Sequence, residues 1–322
     1  MAGPSRAERV CRIVTHDPKA ILPSVAPPAS PPQAAVPSLP SGISADQLLA
    51  TIDAMQAELD NLRGQNDARK YHMEQVEREL RLASRLQKDF LPKKLPNHGN
   101  VKFDCIYQPA GHVSGDLYDV RRLDEHHVGV YLADAIGHGM PAALLAMFMH
   151  NALQTKQIDA ATGRYRLLDS AEAMGLLNET LASQGLEHAT FATALYAKVH
   201  VTTGRVEFAR GGHPLPILLR GEGPAATYEE IGGDGALLGV MADETFEPHE
   251  LTLTPGDRLI LFTDGVEAAF VPEGATADLE AWRKAVRERR HLPAAALLSE
   301  LRQRVEGRPA EDDVTILSIA MT

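Results

Sequence analysis

Aspartates in this chain stand where apolar, strand-like segments begin or end. They are Asp116 and Asp119 in SGDLYDV, Asp134 in VGVYLADAIGHG, Asp264 in DRLILFTDGVEAA, and Asp312 and Asp313 in EDDVTILSIAM. Aspartate is common in turns, particularly before glycine, so each of these residues taken alone is explained as a turn residue. As a group they need another explanation, because carboxylates at neighbouring strand ends of one sheet repel each other unless protonation or a cation relieves the repulsion.

A hard divalent cation would relieve this repulsion with the side chains that are present. Carboxylate oxygens without nearby histidine or cysteine favour Mg²⁺ or Mn²⁺ over zinc. Two such ions about 3.5–4 Å apart, with Asp134 between them, would activate a shared water and stabilise phosphoryl oxygens. Gly137 and Gly139, which follow Asp134, would let the backbone pass close to the ions. The acids therefore predict hydrolysis without a covalent intermediate, and a structural calcium site in an unrelated sandwich is an alternative.

The composition argues against several classes of protein. The chain has 322 residues and a net charge of −11, with 43 acidic against 32 basic residues, which is unfavourable for binding nucleic acid. Its apolar runs are shorter than the roughly 20 residues that cross a membrane, and its first residues do not resemble a secretory signal. The only two cysteines are Cys11 and Cys105, which is typical of a reducing compartment. We expect a cytoplasmic protein with neither nucleic-acid nor membrane partners.

The elements that would position the aspartates are mostly strands. Strands are predicted over residues 102–108, 128–133, 190–200, 204–209, 215–220, 249–253, 258–263 and 314–321, and helices over residues 140–157, 170–184, 276–290 and 294–306. Pro141 suits the first turn of the first of these helices. Hairpin-like strands with helices grouped between them indicate an α+β fold, in which helices cover an antiparallel β-sandwich.

A seven-residue repeat precedes this domain. Its positions are Leu48, Ile52, Met55, Leu59, Leu62, Asn66, Arg69, Met73, Val76, Leu80 and Ala83. So narrow an apolar seam predicts a coiled coil, and the lone Asn66 favours a parallel dimer in fixed register, while Arg69 weakens the seam locally. A helix that lies on its own domain is the alternative.

The chain is therefore predicted to have three parts. Residues 1–43 comprise an unstructured tail and a linker rich in proline, alanine and serine, a composition that does not form a core. Residues 44–91 form the helix that would mediate dimerisation and signalling. The prolines and the glycine of LPKKLPNHG end that helix, and residues 92–322 form the catalytic domain.

Motifs from about Leu86 to Thr322 resemble those of the PPM family of metal-dependent protein Ser/Thr phosphatases, in its bacterial SpoIIE-like branch. In family order they are LQKDFLP, SGDLYDV, LADAIGHGMPAALL, TFATALYAKV, GGHPLPILL, GALLGV, GDRLILFTDGVEAA and EDDVTIL. The ordered series is far more specific than any one motif. The resemblance implies an α-β-β-α sandwich that hydrolyses phosphoserine or phosphothreonine on a partner protein. It also implies a partner such as a STAS-type anti-sigma-factor antagonist, within a partner-switching pathway.

The resemblance further implies roles for individual residues. Asp134 would bridge two Mn²⁺ or Mg²⁺ ions, and the backbone carbonyl of Ala135 would bind one of them. Asp264 and Asp312 would complete the other site. Asp116 resembles the N-terminal acidic ligand of the family, acting directly or through water.

Other residues within these motifs have less defined roles. Asp119 and Asp313 are weaker ligand candidates. His138 has the chemistry to donate a proton to the leaving oxygen, but eukaryotic relatives place a histidine two residues after the bridging aspartate and this chain places it four residues after. A loop-stabilising role is therefore favoured for His138, and a turn-stabilising role for His213. Ser114 stands where the family usually has glycine, so the turn there has less conformational freedom.

Two further hypotheses concern the function as a whole. A non-catalytic scaffold that binds a phosphoprotein or a kinase is the alternative to an enzyme, and it predicts a damaged set of acids. Asp116, Asp134, Asp264 and Asp312 are all present, which favours the enzyme. We also hypothesise that the helix from about residue 80 to residue 90 couples the dimer state to the order of the metal site.

Overall fold

A computed structural model of the chain describes residues 12–13, 44–159, 162–185, 191–233, 235–272 and 274–322. The predicted linker lies outside these residues, as does the predicted tail except at residues 12–13, which form a short strand there instead of an unstructured segment. The chain divides into two compact units. One comprises residues 15–82, and the other comprises residues 1–14 together with residues 83–322.

The helices and strands alternate irregularly along the chain. In order they are β1 (Arg12–Ile13), α1 (Ala45–Phe90), β2 (Val101–Gln108), β3 (Asp116–Arg122), β4 (His127–Ala135), α2 (Met140–Ala152), β5 (Lys156–Ile158), β6 (Tyr165–Leu167), α3 (Ser170–Ser183), β7 (Ala192–His200), β8 (Arg205–Gly211), β9 (Ile217–Arg220), β10 (Thr227–Glu230), β11 (His249–Thr252), β12 (Arg258–Phe262), α4 (Val266–Phe270), α5 (Leu279–Arg289), α6 (Ala294–Glu306) and β13 (Val314–Met321).

The predicted strands and helices are confirmed, with shifts at their ends. The helix α2 has Pro141 in its first turn, as predicted, but it ends at Ala152 instead of residue 157 because the chain turns there into β5. The helix α5 begins later than predicted, where the carboxylate of Asp278 accepts the backbone N–H of Glu280 and caps the helix. The strand β3 is not predicted from the sequence, because its aspartates and arginines interrupt the apolar pattern.

Two mostly antiparallel sheets form the centre of the larger unit. Sheet 1 has the strand order β1-β2-β13-β12-β9-β10, and sheet 2 has the order β11-β8-β7-β4-β3. One apolar core includes residues of both sheets together with residues of α2 and α3. A second core fills the outer face of sheet 1 beneath α4, α5 and α6. The layers are therefore helices, sheet 2, sheet 1 and helices, which confirms the predicted α-β-β-α arrangement.

The second core is built around Trp282, which is fully buried. Its ring lies 5.1 Å from the ring of Phe262 and 4.9 Å from that of Phe270, measured between centroids. Buried aromatic side chains contribute large apolar areas and favour such tilted contacts. This core fixes α4, α5 and α6 against β12, which ends just before Asp264, and β13, which begins just after Asp312.

Strand register brings the aspartates of each sheet to one edge. In sheet 2, Asp116 of β3 lies directly opposite Asp134 of β4. In sheet 1, β12 and β13 are antiparallel, with Phe262 opposite Ile316. The end of β12 and the beginning of β13 therefore meet at the same edge, which carries Asp264 and Asp312.

The helix α1 confirms that a helix precedes the domain, and the coiled coil itself stays a prediction. Its apolar seam is exposed in this single chain, with Met55 and Leu59 at 60% and 52% exposure and Met73 at 63%. Within the described residues, we find no helix with both the length and the apolar character that a bilayer span requires.

Candidate metal centre

The carboxylates of Asp134 and Asp264 lie close enough for each to affect the pKa of the other. Asp134 is near the end of β4, and Asp264 comes just after β12. Burial, followed by the charges of Asp264, Asp312 and Asp313, raises the pKa of Asp134. Burial and the charge of Asp312 likewise raise the pKa of Asp264. These acids, which are far apart in sequence, therefore repel one another at the same edge of the sandwich.

Asp116 lies beneath this pair and is 1% exposed. The hydroxyls of Thr263 and Thr315 donate to its Oδ2 atom at 2.7 Å and 2.6 Å. The backbone N–H of Thr315 also donates to the hydroxyl of Thr263 at 2.9 Å, which locks the three side chains together. Burial, then the charges of Asp134 and Asp313, raises the pKa of Asp116 well above its usual value despite these bonds.

Neither threonine is identified from the sequence as a functional residue. The available signal is their position, because Thr263 directly precedes Asp264 and Thr315 follows Asp312 by three residues. A short side chain beside a motif acid is well placed to orient a neighbouring ligand.

Asp312 and Asp313 have different surroundings although they are adjacent. Asp312 is exposed, and its Oδ1 atom accepts the backbone N–H of Asp313 at 2.8 Å. Asp313 is buried, and its two oxygens accept the backbone N–H groups of Ala110 and Gly115, each at 2.7 Å. Burial raises the pKa of Asp313, and these bonds oppose the shift. Asp313 therefore holds the loop before β3, and Asp312 is the acid of this pair that is open to a ligand.

The backbone on both sides of Asp134 has specific conformational requirements. A Cβ atom at Gly115 would lie 2.9 Å from the carbonyl oxygen of Ala135, so a side chain there would displace that oxygen. Gly137 and Gly139 have φ angles of +88° and +78°, and the space around them is open. Gly115 is thus required by close approach, whereas the other two glycines are required by a left-handed backbone.

The last turns of α1 contact the strand that carries Asp116. Gln87 is buried, its Nε2 atom donates to the carbonyl of Ser114 at 2.5 Å, and its Oε1 atom accepts the N–H of Ser114 at 2.9 Å. The hydroxyl of Ser114 in turn accepts the backbone N–H of Asp116 at 3.1 Å. Ser114 therefore links the helix to an acid of the cluster.

The remaining candidates lie in other surroundings. Asp119 forms an ion pair with Arg121 and lies 3.3 Å from the imidazole of His150. His138 is exposed in the loop before α2.

His213 is fully buried, and its Nδ1 atom is 2.9 Å from the hydroxyl of Thr193, the residue opposite Asp134 in β7. Burial, then the charge of Arg210, lowers the pKa of His213 to about 3. The imidazole is therefore neutral at physiological pH, which suits a structural role in this turn.

The donor set fits hard divalent ions in its chemistry. In the described part of the chain, no three His, Cys, Asp or Glu side chains are arranged as a ready-made set around one ion. The structure does bring several carboxylates into mutual repulsion, as the raised pKa values of Asp116, Asp134 and Asp264 indicate. Oxygen donors that carry excess negative charge are the ligands that Mg²⁺ and Mn²⁺ prefer.

The chain matches known proteins over this same region. Residues 124–322 match the family described as stage II sporulation protein E (SpoIIE). Over 194 residues, which are 59% of this chain and 45% of the relative, the chain is 32% identical to phosphoserine phosphatase RsbP of Bacillus subtilis (strain 168). The match therefore spans less than half of that relative's length.

Solved structures with the same fold support this match. The SiaA-PP2C domain of Pseudomonas aeruginosa superposes with a TM-score of 0.61 at 24% identity, covering 78% of this chain and 98% of that domain. RsbX in complex with magnesium superposes with a TM-score of 0.52 at 14% identity, covering 71% of this chain and 99% of that chain. The chain belongs to the SpoIIE family and has the PP2C-type phosphatase fold.

Proposed function

We propose that this protein is a Mg²⁺- or Mn²⁺-dependent phosphatase that hydrolyses phosphoserine or phosphothreonine on a regulatory partner protein. The observation that carries the proposal is the cluster of mutually repelling carboxylates where the two sheets meet, in a chain of the SpoIIE family. Similarity to RsbP, which is named a phosphoserine phosphatase, supports the choice of substrate.

The residues proposed to hold two ions are those near the Asp134–Asp264 pair. Asp134 would bridge the ions, the carbonyl of Ala135 would bind one, and Asp264 and Asp312 would bind the other. Asp116 would act through water, because its Oδ2 atom already accepts two hydroxyls. When bound, two such ions would lower the pKa of a shared water and stabilise the phosphoryl oxygens.

The chain's own side chains would keep this cluster in place during the reaction. Thr263 and Thr315 fix the carboxylate of Asp116, and Asp313 fixes the loop that approaches Ala135. Side chains held by such bonds lose little orientational freedom when substrate binds, which favours a repeatable geometry at the reacting phosphate.

We propose a STAS-type anti-sigma-factor antagonist as the substrate protein, in a partner-switching pathway, because the motifs resemble the SpoIIE-like branch of the family. We also propose that the chain acts as a homodimer through α1. The exposed apolar seam of that helix supports this part of the proposal.

The experiment that tests the activity is manganese-dependent hydrolysis of p-nitrophenyl phosphate and of a phosphoserine peptide. Asp134→Asn and Asp264→Asn should each abolish hydrolysis, because each removes charge from the ion-binding pair. Asp243→Asn, which changes an exposed aspartate, is the control and should leave the rate unchanged. Bound metal without hydrolysis of either substrate would favour a non-catalytic scaffold, and bound calcium alone would favour a structural site.

A further inference from the structure

A cavity lies on the outer face of sheet 1, far along its strands from the acid cluster. It has a volume of about 870 Å³ and lies between β12, β13 and the first turn of α6. Its lining includes Arg258, Ser318, Ala320, Ala295 and Leu298. Volumes of this order are typical of sites for small organic molecules.

Strand register explains why polar side chains face this cavity. Arg258 lies opposite Ala320 and Ile260 lies opposite Ser318, so Arg258 and Ser318 are diagonal neighbours on one face of the sheet. Farther along the same face, Ile316 belongs to the apolar core beneath the helices. The face therefore changes from apolar to polar where α6 begins.

Two buried groups in this lining have unused hydrogen-bonding capacity. Arg258 is 1% exposed and Ser318 is 2% exposed. Within the described residues, the Nε atom of Arg258 and the Oγ atom of Ser318 have no hydrogen-bond partner. Buried donors are nearly always paired in folded proteins, and an unpaired one is unfavourable. Both groups therefore indicate a polar ligand atom in the cavity.

The remaining nitrogens of Arg258 orient its guanidinium without neutralising it. They donate to the carbonyls of Gly256 and Arg290 at 3.2 Å and 2.5 Å. The nearest carboxylate, on Glu222, lies 3.7 Å away and is 46% exposed. The charges of Glu222 and Asp257 compensate this buried cation only in part, because burial still lowers the pKa of Arg258.

The first turn of α6 adds further donors at the same place. The helix has 13 residues, and Pro293 at its cap makes no side-chain hydrogen bond to the first turn. Within the described residues, the first backbone N–H of this helix that donates to a backbone carbonyl is that of Leu297. Its acceptor is the carbonyl oxygen of Pro293. Free N–H groups and the helix dipole favour an anionic group at such an end.

We propose that this cavity binds a small organic molecule with a single carboxylate on an apolar body. The carboxylate would accept from Arg258, Ser318 and the first turn of α6, and the body would pack on Leu298 and Ala320. Lys102, Glu222 and Asp104 also line the cavity, so with Arg258 the lining has two cations and two carboxylates. It therefore has no excess positive charge for a more highly charged ligand such as a phosphate ester.

The cavity is separate from the candidate metal centre, although the same strands reach both. Arg258 begins β12, which ends just before Asp264, and Ser318 lies near the end of β13, which begins just after Asp312. At about 3.3 Å per residue, six residues of strand separate the sites by roughly 20 Å. A ligand in the cavity would not contact substrate.

The experiment titrates the full chain with hexanoate, phenylacetate and 4-phenylbutyrate, and with the matching neutral amides, by calorimetry and ligand-detected NMR. At least one acid should bind, and its amide should bind at least tenfold more weakly, because the donors favour a charged acceptor. Ser318→Ala should weaken binding of the acid severalfold.

A cavity-filling variant localises the binding. Ala295→Trp places a large ring at the exposed start of α6 and should abolish binding while thermal unfolding and manganese-dependent hydrolysis of p-nitrophenyl phosphate stay as in the parent chain. Any of three results would overturn the proposal: no acid binds at millimolar concentration, acid and amide bind equally, or Ala295→Trp binds as well as the parent.

Discussion

At the scale of single residues, the candidate centre depends on backbone positions that tolerate no side chain. Gly115 is the clearest case, because a Cβ atom there would lie 2.9 Å from the carbonyl oxygen of Ala135 and 3.3 Å from the side chain of Ala142. Gly265 has a similar constraint against the backbone of Asp313. The glycines beside the motif acids are therefore part of the site geometry, and not only turn residues.

Gly115→Ala should lower metal-dependent hydrolysis by at least tenfold, because the added methyl group displaces the carbonyl of Ala135. Overpacking should also destabilise the fold by about 1–3 kcal/mol. Steady-state hydrolysis at varied manganese concentration and urea unfolding measure the two effects.

The matched control is Gly175→Ala in α3, where the new methyl group meets no atom within 4 Å apart from its chain neighbours and the backbone of its own helix. This variant should gain about 0.5–1 kcal/mol of stability, since alanine is the better helix former, and it should keep the parent rate. Equal rates for both alanine variants would contradict the role given to Gly115.

His213 gives a prediction about the pH dependence of stability. In the folded chain its pKa is lowered to about 3, whereas the ordinary value is 6.5. Below pH 6.5 the unfolded chain takes up a proton that the folded chain does not, so the free energy of unfolding falls with falling pH by roughly 1 kcal/mol per pH unit. His213→Gln should lack this contribution.

Urea unfolding of the parent and of His213→Gln at pH 7 and pH 5, both without metal, measures the difference. The buried aspartates have raised pKa values, so their contribution to the free energy of unfolding rises as the pH falls. Both proteins have these aspartates, so this contribution cancels in the comparison. If both proteins lose the same stability between these pH values, the histidine is not held neutral in the fold.

At the scale of elements, the end of α1 is one contact that joins a helix to the acid cluster. Gln87→Met keeps the size and helical preference of the side chain but removes both bonds to Ser114. We expect weaker metal binding and a slower rate, because Ser114 also holds the backbone N–H of Asp116. Metal titration and hydrolysis of p-nitrophenyl phosphate measure the two effects.

Arg85→Met, on an exposed position of the same turn, is the matched control and should behave like the parent chain.

A chain that begins near Pro92 gives an independent measurement of the same coupling. If that shortened chain and the full chain have equal rates and equal metal affinity, the helix does not influence the centre.

Elements also differ in how well the sequence predicts them. The strand β13 is mostly apolar, with Thr315 and Ser318 as its polar residues, and it is buried along its whole length. Its sequence pattern therefore agrees with its surroundings. The strand β3 is missed because Asp116, Asp119 and Arg121 look like loop residues, although the first two are buried. A local sequence pattern does not show that a charged side chain such as that of Asp116 is buried.

Contacts between distant segments are the second limit of sequence reasoning. The motif acids are recognisable because each stands beside an apolar strand, so the cluster is predictable. The bonds from Thr263 and Thr315 to Asp116 join segments 147 and 199 residues apart, and the bond from Gln87 joins a polar helical position to a buried loop. These partners depend on sheet topology, which local periodicity does not specify.

At the scale of the whole molecule, the seam of α1 determines the assembly that we expect. Its residues include Leu59 and Leu62, each 52% exposed in the single chain. Burying a leucine stabilises an assembly by roughly 1.5–3 kcal/mol, and the repeat supplies such a residue at most of its positions. The full chain should therefore be a dimer at micromolar concentration.

Leu59→Glu combined with Leu62→Glu should convert this dimer to a monomer, because the charged side chains would be buried in the seam. Asn61→Glu, outside the seam on the same turn, is the control and should stay dimeric. Size-exclusion chromatography with light scattering distinguishes the two states.

Asn66→Leu should instead keep the association but admit trimers or tetramers, since a buried asparagine specifies two strands. A parent chain that is monomeric at tens of micromolar would contradict the assembly, without changing what is expected of the acid cluster.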